Sequence, residues 1–441
     1  MRSVLIAAHG LRVLFSGLRR MGVTPAAAMT PGVVRSSAYG LGYGIMAMLW
    51  LKRKQAPSWG DIDAAWEQRL PPAGTVEEAL YGRLDPADRI ELLTSNRHAF
   101  EIRDRLFADA RQSIDIATYY VQTDVTSWQV TRQLIECAKR GVQVRVLADG
   151  VATAQKTFER FEVGHVASVL RDAGVTFSTF RDGARPFDAN HRKMIVVDRD
   201  TFITGGRNFA DHYSGDEWRD SDILMTGPSV AEAQAVFDET FRNAEGHPED
   251  KHDRGPSIYQ STTPAGIQNN HFFRYLVQCI RAARNTIDIE NAYYFHHPIL
   301  DRHLAAARER GVRVRIFTNS EESNDLDFAN YRIYSGFPRL LDLGVELYLR
   351  RGKHCTLHCK YWVVDGEWVS YGSSNLDYYS PRFCSELGLH IRDAGFGAEL
   401  TRWFEQGIAE ADRVTNREAV EEVIRKQTVG RVFDRWLTDI Q

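Results

Sequence analysis

One motif occurs twice in this chain with identical spacing, and it constrains the fold more than any other feature. The first copy runs from His191 to Asn208 and the second from His358 to Asn375. Both read His-x-Lys-x4-Asp-x6-Gly-Gly/Ser-x-Asn, and they start 167 residues apart (358 minus 191). A lone His-x-Lys arises readily by composition, whereas five matched positions do not. The repeat therefore predicts a duplicated structural unit.

Each copy of the motif offers side chains suited to a phosphate group. Residues two apart on a strand share a face, so each histidine is expected to project beside its lysine. The apolar run after each lysine predicts a buried strand, the aspartate predicts a turn, and the small residues allow backbone to approach a ligand. Two copies supply two imidazoles, as a two-step displacement with one nucleophile and one acid/base requires. The candidate site residues are His191, Lys193, Gly205, Gly206 and Asn208 in the first copy and His358, Lys360, Gly372, Ser373 and Asn375 in the second, with Asp198 and Asp365 expected to shape turns.

The duplication extends beyond the motifs. Helical patterns at 100–111 and 272–284 precede strand patterns at 113–121 and 286–295, and further helices (127–140, 300–310) and strands (140–150, 310–320) follow. This alternation predicts an α/β fold with parallel strands. The predicted divisions are a leader and connector (1–88), a first half (89–242), a linker (243–268), a second half (269–413) and a C-terminal amphipathic helix (414–441).

The two motifs resemble the paired HKD signatures of the phospholipase D superfamily. The surrounding sequences GGRNFADHY and GSSNLDYYSPRFCSELGL resemble bacterial cardiolipin synthases of the two-motif type. The resemblance implies two similar α/β/α sandwich halves related by a pseudo-twofold axis, with the active site at their interface. It also implies a covalent phosphohistidine intermediate, no metal and no cofactor, with His191 as nucleophile and His358 as acid/base. The residues alone do not distinguish these two roles.

Each half also carries a later carboxylate. Asp220 follows His191 by 29 residues, and Glu386 follows His358 by 28. The resemblance implies that an acid at this place hydrogen-bonds the imidazole nitrogen not used in chemistry, which fixes the tautomer. Asp222 is an alternative to Asp220, and Asp220 is favoured because its spacing matches that of Glu386.

Charge and cysteine content narrow the function classes. The 441 residues carry a net charge of −3, so no dedicated nucleic-acid partner is expected. Cys355 and Cys359 flank His358 and suggest zinc, but no second cysteine pair accompanies them. The five cysteines are therefore expected to be reduced thiols, and no metal site is predicted.

The first 60 residues differ from the rest of the chain. They hold eight Lys or Arg and no acid, and residues 36–51 carry no charge before the basic cluster at 52–54. Sixteen helical residues span about 24 Å, which is short of the roughly 30 Å hydrocarbon core. Three interpretations stay open: a membrane-associated segment, an organellar transit peptide, or a leader without function. The resemblance favours a bacterial inner membrane, facing the cytoplasm.

The substrate is the least determined feature. Phospholipids are the expected partners, and cardiolipin synthesis from phosphatidylglycerol or another phospholipid is the first hypothesis. A hydrolytic phospholipase D and a nuclease of the same superfamily are the alternatives. Four aromatic residues near the second motif either build a dry, membrane-facing mouth or pack in the core; they are Tyr371, Tyr378, Tyr379 and Phe383. The sequence does not predict the oligomeric state.

Overall fold

The computed structural model describes residue 64 and residues 67–119, 121–149, 160–180, 189–244, 257–262, 270–377 and 380–427. The basic leader therefore lies outside the described residues. So do Tyr378, Tyr379, most of the predicted linker and the end of the predicted C-terminal helix.

A mixed sheet forms the first half. The first half contributes the strands β1 (Arg89–Leu93), β2 (Ser113–Thr118), β3 (Gln143–Asp149), β4 (Thr176–Phe180), β5 (Ala189–Asn190), β6 (Met194–Val197), β7 (Thr201–Gly205) and β8 (Asp222–Thr226). Seven of these strands form the sheet, in the order β1-β8-β7-β6-β2-β3-β4. Strands β2, β3 and β4 are parallel, and β2 pairs antiparallel with β6. Strands β6, β7, β8 and β1 continue antiparallel.

A second mixed sheet forms the second half. Its strands are β9 (Tyr259–Thr262), β10 (Thr286–Asn291), β11 (Arg313–Asn319), β12 (Glu346–Arg350), β13 (Lys360–Val364), β14 (Trp368–Gly372), β15 (Cys384–Arg392) and β16 (Asp412–Arg413). The sheet order is β16-β12-β11-β10-β13-β14-β15-β5, and β9 also pairs with β15. Strand β5 thus crosses from the first half into the second sheet.

The strand orders confirm the duplication. The run β15-β14-β13-β10-β11-β12 repeats β8-β7-β6-β2-β3-β4 with the same relative directions. The prediction of parallel strands from the strand–helix–strand units is confirmed: β2 pairs in parallel with β3, and β10 pairs in parallel with β11. Each motif forms an antiparallel hairpin, β6–β7 or β13–β14, because its short turn cannot provide the crossover that a parallel pair needs.

Helices cover both sheets. Within the described residues they are α1 (Asn96–Asp109), α2 (Val125–Lys139), α3 (Arg160–Asp172), α4 (Val230–Ala244), α5 (His271–Ala282), α6 (Pro298–Glu309), α7 (Asn330–Ser335), α8 (Phe337–Asp342), α9 (Ser380–Phe383), α10 (Ala394–Ala409) and α11 (Arg417–Lys426). Polar caps fix several starts: Ser95 accepts from the amide of His98, and Asp124 accepts from that of Ser127. These caps explain why the helices begin earlier than apolar spacing predicts.

A shared apolar core joins the halves. Met194 and Val196 of β6 lie in the same buried cluster as Tyr361 and Val363 of β13, together with side chains of α4 and α10. A separate cluster packs α2 and α3 on the first sheet, and another packs α5 and α6 on the second. The active-site strands therefore run through a continuous interior rather than along a loose domain boundary.

Segments outside the two repeats also join the second half. Leu80 and Tyr81, from the predicted connector, are buried in its core, and the Gly82 amide donates to the His390 carbonyl at 2.9 Å. Strand β9 lies in the predicted linker and was not anticipated. Helix α11 buries Val420 against the second half. Among the described residues, no helix combines the length and the apolar character needed to cross a bilayer.

Candidate active site

Short strand pairings between the halves position both histidines. Strand β5 ends immediately before His191 and pairs in parallel with the start of β15, and the His191 amide donates to the Ser385 carbonyl at 2.9 Å. On the other side Arg219 forms a parallel bridge with Leu357, and the His358 amide donates to the Arg219 carbonyl at 2.7 Å. Each histidine therefore lies beside a strand of the opposite half.

The carboxylates pair across the two halves. His191 Nδ1 lies 3.0 Å from both carboxylate oxygens of Glu386. His358 Nδ1 lies 2.8 Å from Asp220 Oδ2. A carboxylate on Nδ1 holds the proton there and leaves Nε2 for chemistry. The acid of each half thus orients the imidazole of the other.

Two buried lysines accompany the histidines. Lys193 Nζ donates to the His191 carbonyl at 2.7 Å, and Lys360 Nζ donates to the His358 carbonyl at 2.5 Å. Their residues are 4% and 2% exposed. Each ammonium retains further donor capacity for an anion, since it has three protons.

The two asparagines differ in their surroundings. Asn208 Nδ2 donates to the Tyr213 hydroxyl at 2.8 Å, and its Oδ1 accepts from Thr118 Oγ1 at 3.3 Å. Asn375 Oδ1 is buried and has no hydrogen-bond partner among the described residues. The Asn375 amide thus has an unpaired acceptor, whereas a phosphate oxygen would bind to its Nδ2 donor.

The small motif residues contact the acid-bearing strands. A Cβ at Gly206 would lie 2.2 Å from Asp220 Oδ1, so only glycine lets this carboxylate reach the site. At the matching position Ser373 donates its hydroxyl to Glu386 Oε2 at 2.5 Å. Added Cβ atoms at Gly205 and Gly372 would similarly meet strands β8 and β15. Gly206 thus leaves room for the Asp220 carboxylate, and the substrate-binding role expected for the four small residues stays a prediction.

The two motif aspartates lie at the hairpin turns. Asp198 accepts from the amides of residues 111, 112 and 113, at 2.9, 2.7 and 2.9 Å. Asp365 accepts from the amides of residues 284, 285 and 286, at 2.8, 2.7 and 2.9 Å. Both have positive φ, 51° and 52°. Neither contacts the imidazoles, and each fixes the start of the neighbouring central strand.

Two arginines that sequence reasoning missed hold Asp220 in place. Arg207 pairs with Asp222 at 3.0 Å and donates to the Asp220 carbonyl at 2.7 Å. Asp222 is thus bound to an arginine, while Asp220 faces His358. Arg207 occupies a variable position of the motif, so nothing in the repeat identified it.

Arg219, which immediately precedes Asp220, crosses the interface. It donates to Glu290 Oε1 at 2.7 Å and to the Trp403 carbonyl at 2.8 Å, and its guanidinium lies 3.7 Å from the centre of the Trp403 ring. The Tyr361 hydroxyl donates to the other Glu290 oxygen at 2.5 Å. This buried ion pair has no counterpart around Glu386, where the matching residue is Ser385.

Burial dominates the electrostatics of the site. Burial lowers the pKa of His191, although the negative charge of Glu386 opposes this. Burial also lowers the pKa of His358 well below its usual value, and the positive charges of Lys360 and Lys193 lower it further. Burial likewise lowers the pKa of Lys193 to about 7 and lowers that of Lys360. Burial raises the pKa of Asp220 to about 6, although Arg207 and Lys360 oppose it. A phosphate anion would restore charge to the cationic groups, because it offsets their desolvation.

Aromatic side chains surround the imidazoles. Tyr119 packs edge-on against His191, with centroids 4.8 Å apart. Tyr213 and Trp218 pack on His358, at 5.4 and 5.2 Å. Of the residues considered for a membrane-facing mouth, Tyr371 is in the shared core and donates to Ser221 Oγ at 2.9 Å, and Phe383 is also buried.

The cysteines flanking His358 have separate surroundings. Cys359 is buried, with its Sγ 3.5 Å from Ser221 Oγ, and Cys355 is half-buried. The described residues contain no group of three or more His, Cys, Asp or Glu that could hold a metal ion. All five cysteines are free thiols.

A family model described as "Cardiolipin synthase, PLD-like domain" matches residues 104–243 and 276–408, which span both motifs and both acids. The chain belongs to this family. Within it, a cardiolipin synthase of Geobacillus sp. is 28% identical over 74% of this chain and 68% of its own length. Cardiolipin synthase A of Pseudomonas aeruginosa is 28% identical over 80% of this chain and 73% of its own.

Solved structures show the same fold as this member of the cardiolipin synthase PLD-like family. A phosphatidylserine synthase of Haemophilus influenzae has a TM-score of 0.63 at 16% identity, covering 85% of this chain and 98% of that one. A polyphosphate kinase of Porphyromonas gingivalis has a TM-score of 0.52 at 14% identity, covering 78% of this chain and 55% of that one. The predicted fold of two similar halves meeting at the active site is confirmed.

Proposed function

We propose that this chain transfers phosphatidyl groups between phospholipids and makes cardiolipin from phosphatidylglycerol. The observation that carries the proposal is the pair of crossed contacts, His191 with Glu386 and His358 with Asp220, at 3.0 and 2.8 Å. Two imidazoles with defined tautomers, beside two buried ammonium groups, suit displacement at a phosphodiester. Membership of the family and the names of its bacterial relatives support a phospholipid substrate.

In the first step His191 Nε2 attacks the phosphorus of one phosphatidylglycerol. The phosphorus–oxygen bond to glycerol breaks, and His358 Nε2 protonates the leaving oxygen. The product is a phosphatidyl-histidine and free glycerol. The anionic phosphate beside His358 opposes the lowering of its pKa and so lets this imidazole carry the proton.

In the second step neutral His358 removes a proton from a glycerol hydroxyl of a second phosphatidylglycerol. That oxygen attacks the phosphorus and the bond to His191 breaks, which gives cardiolipin and restores both histidines. Lys193, Lys360 and Asn375 bind the phosphoryl oxygens while charge develops on them. The step requires that water be kept from the intermediate.

The substrates place the reaction at a membrane surface. The basic residues of the leader suit the anionic cytoplasmic surface of a bacterial inner membrane, where we propose that the site works. We propose that the leader supplies this attachment through its basic residues.

The test uses purified protein and vesicles of phosphatidylglycerol alone. We expect cardiolipin and glycerol as main products by mass spectrometry, with phosphatidic acid minor. His191→Ala and His358→Ala should each abolish turnover, because neither imidazole can take both roles in one cycle. Dominant phosphatidic acid would instead make the protein a hydrolase. Cleavage of single-stranded oligonucleotides without lipid turnover would make it a nuclease.

A further inference from the structure

A rigid loop follows strand β11 and lies beside the second motif. Asn319 Nδ2 donates to the Leu357 carbonyl and its Oδ1 accepts from the Leu357 amide, both at 2.8 Å. Thr356 Oγ1 donates to the Ser323 carbonyl at 2.8 Å. Residues 320–326, the acceptor loop hereafter, are therefore tied to the two residues that precede His358.

Buried polar groups within the acceptor loop and on either side of it hold the loop in place. Asn324 Nδ2 donates to Asn330 Oδ1 at 2.6 Å, and Ser323 Oγ donates to Asn319 Oδ1 at 2.9 Å. Each of these four residues is at most 3% exposed. A network that is buried and satisfied in this way fixes the loop conformation.

One side chain of this loop, that of Asp325, is exposed to solvent rather than buried. Its Oδ1 accepts a hydrogen bond from the Tyr293 hydroxyl at 2.6 Å. Tyr293 is only 7% exposed, and its amide donates to Asn291 Oδ1 at 3.2 Å. Asn291 is the register partner of Lys360 on the adjacent strand. A buried tyrosine, two residues from the register partner of Lys360, thus holds an exposed carboxylate.

The same carboxylate also interacts electrostatically with Lys360. Although the side chain reaches solvent, partial desolvation by the surrounding protein raises the pKa of Asp325, while the Tyr293 hydroxyl and the Lys360 ammonium lower it. Conversely, Asp325 is among the groups that raise the pKa of Lys360 against the lowering by burial. An acidic side chain that interacts with a phosphate-binding lysine would repel the phosphate itself. It suits instead a neutral group next to the phosphate that can donate hydrogen bonds.

We propose that Asp325 and Tyr293 form a subsite for the polyol head group, in which the carboxylate accepts from the glycerol hydroxyl that does not react. This inference rests on the proposed function and names the residues that select the acceptor. A vicinal diol fits because one hydroxyl gives its proton to His358 while its neighbour donates to Asp325. A simple alcohol of the same length lacks that second donor.

The test compares two three-carbon acceptors that compete for one intermediate. Phosphatidylglycerol vesicles are incubated with full-length protein and equal concentrations of deuterated glycerol and 1-propanol. Mass spectrometry gives the ratio of deuterated phosphatidylglycerol to phosphatidylpropanol, and cardiolipin is measured in the same samples. We expect the wild-type protein to prefer glycerol and Asp325→Asn to lower the ratio about tenfold, as for loss of one hydrogen bond to a charged group.

Two further variants make the result specific. Tyr293→Phe removes the hydroxyl that orients the carboxylate and should lower the ratio by a smaller factor. Asp327→Asn removes the same charge from a neighbouring exposed position and should leave the ratio unchanged. An unchanged ratio in Asp325→Asn, or an equal fall in Asp327→Asn, overturns the subsite. If Asp325→Asn loses all turnover, Tyr293→Phe decides, and an unchanged ratio there also overturns it. Absence of any transfer product from the wild-type protein would instead refute the proposed function.

Discussion

At the scale of single residues, the site depends on groups held in unfavourable surroundings. Asp220, Lys193 and His358 are all buried, and burial shifts each pKa toward the neutral form. Such shifts cost folding free energy, since each pKa unit corresponds to about 1.4 kcal/mol. Active sites commonly trade stability for function in this way.

Replacing Asp220 by Asn should make the protein more stable and less active. The pKa of Asp220 is raised to about 6 by burial, so the folded protein retains this proton to a higher pH than the unfolded chain. The fold therefore loses stability as the pH rises from about 4 to about 6. Asparagine cannot ionise, so the variant should melt about 2 °C or more above the wild type at pH 7. Its kcat should fall about 10³-fold, because His358 loses the charge that stabilises its protonated form. A lower melting temperature with retained kcat would contradict this role.

Deprotonation of Lys193 should make the reaction slower at alkaline pH. Burial lowers its pKa to about 7, so the charged form that binds phosphate predominates below that pH and is lost above it. We expect kcat/KM of the free enzyme to decline above about pH 7. Lys193→Arg should move the decline to higher pH whatever its absolute rate, because a guanidinium stays charged. Lys139→Arg, at an exposed helix position, is the control and should leave the pH profile unchanged. If Lys193→Arg did not move the alkaline decline either, Lys193 would not be the group that causes it.

At the scale of secondary-structure elements, each motif contains a hairpin whose turn is fixed by its aspartate. Asp198 and Asp365 accept three backbone amides each and adopt positive φ. Burial tends to raise the pKa of Asp198, but the amides of Ser113, Gln112 and Arg111 lower it overall. This contribution to stability is present at neutral pH and is lost in acid.

Asp198→Ala should destabilise the fold without changing the chemistry. The variant leaves three amides without this acceptor and places Ala at a positive φ that Asp tolerates better, which should cost about 2 kcal/mol in urea unfolding. Asp198→Asn retains one acceptor and tolerates the conformation, so its loss should be smaller. At a temperature where both variants are folded, kcat should stay near the wild-type value. A large fall in kcat for the folded Asn variant would show that Asp198 contributes to catalysis.

The same elements show how far sequence reasoning reaches. Matched spacing predicted the duplicated strands and helices, because apolar periodicity and turn residues are local signals. It also favoured Asp220 over Asp222, and the structure places Asp220 on His358. The spacing did not reveal which acid serves which histidine, since that depends on two-residue pairings such as β5 with β15. Nor did it separate core from surface for Tyr371, because an aromatic residue beside a motif suits either place.

At the scale of the whole molecule, the chain before the first sheet divides into two parts. Leu80 and Tyr81 are buried in the second-half core, and Glu67 forms a 2.6 Å ion pair with Arg302. The basic leader precedes all of these contacts. The two parts should therefore respond differently to truncation.

Removing residues 1–57 should leave a folded catalytic core that binds membranes less. We expect an unchanged melting temperature and reduced co-sedimentation with anionic vesicles, because the basic residues are lost. A second truncation, of residues 1–82, is the matched control. It also removes Leu80 and Tyr81, and should lower stability by about 2 kcal/mol or more for each buried side chain. If the shorter truncation still sedimented fully with vesicles, the attachment would lie elsewhere, for example in the C-terminal segment.

The crossed carboxylates carry a consequence for ancestry. A single copy of the repeat holds a histidine and an acid that point toward different partners, so by itself it orients no imidazole. Two identical copies of such a unit would orient both imidazoles by meeting around a twofold axis and exchanging acids, an isologous pairing. Joined in one chain, the two copies need not be identical. Gly206 opposite Ser373 and Arg219 opposite Ser385 mark positions where the descendants of one gene no longer match.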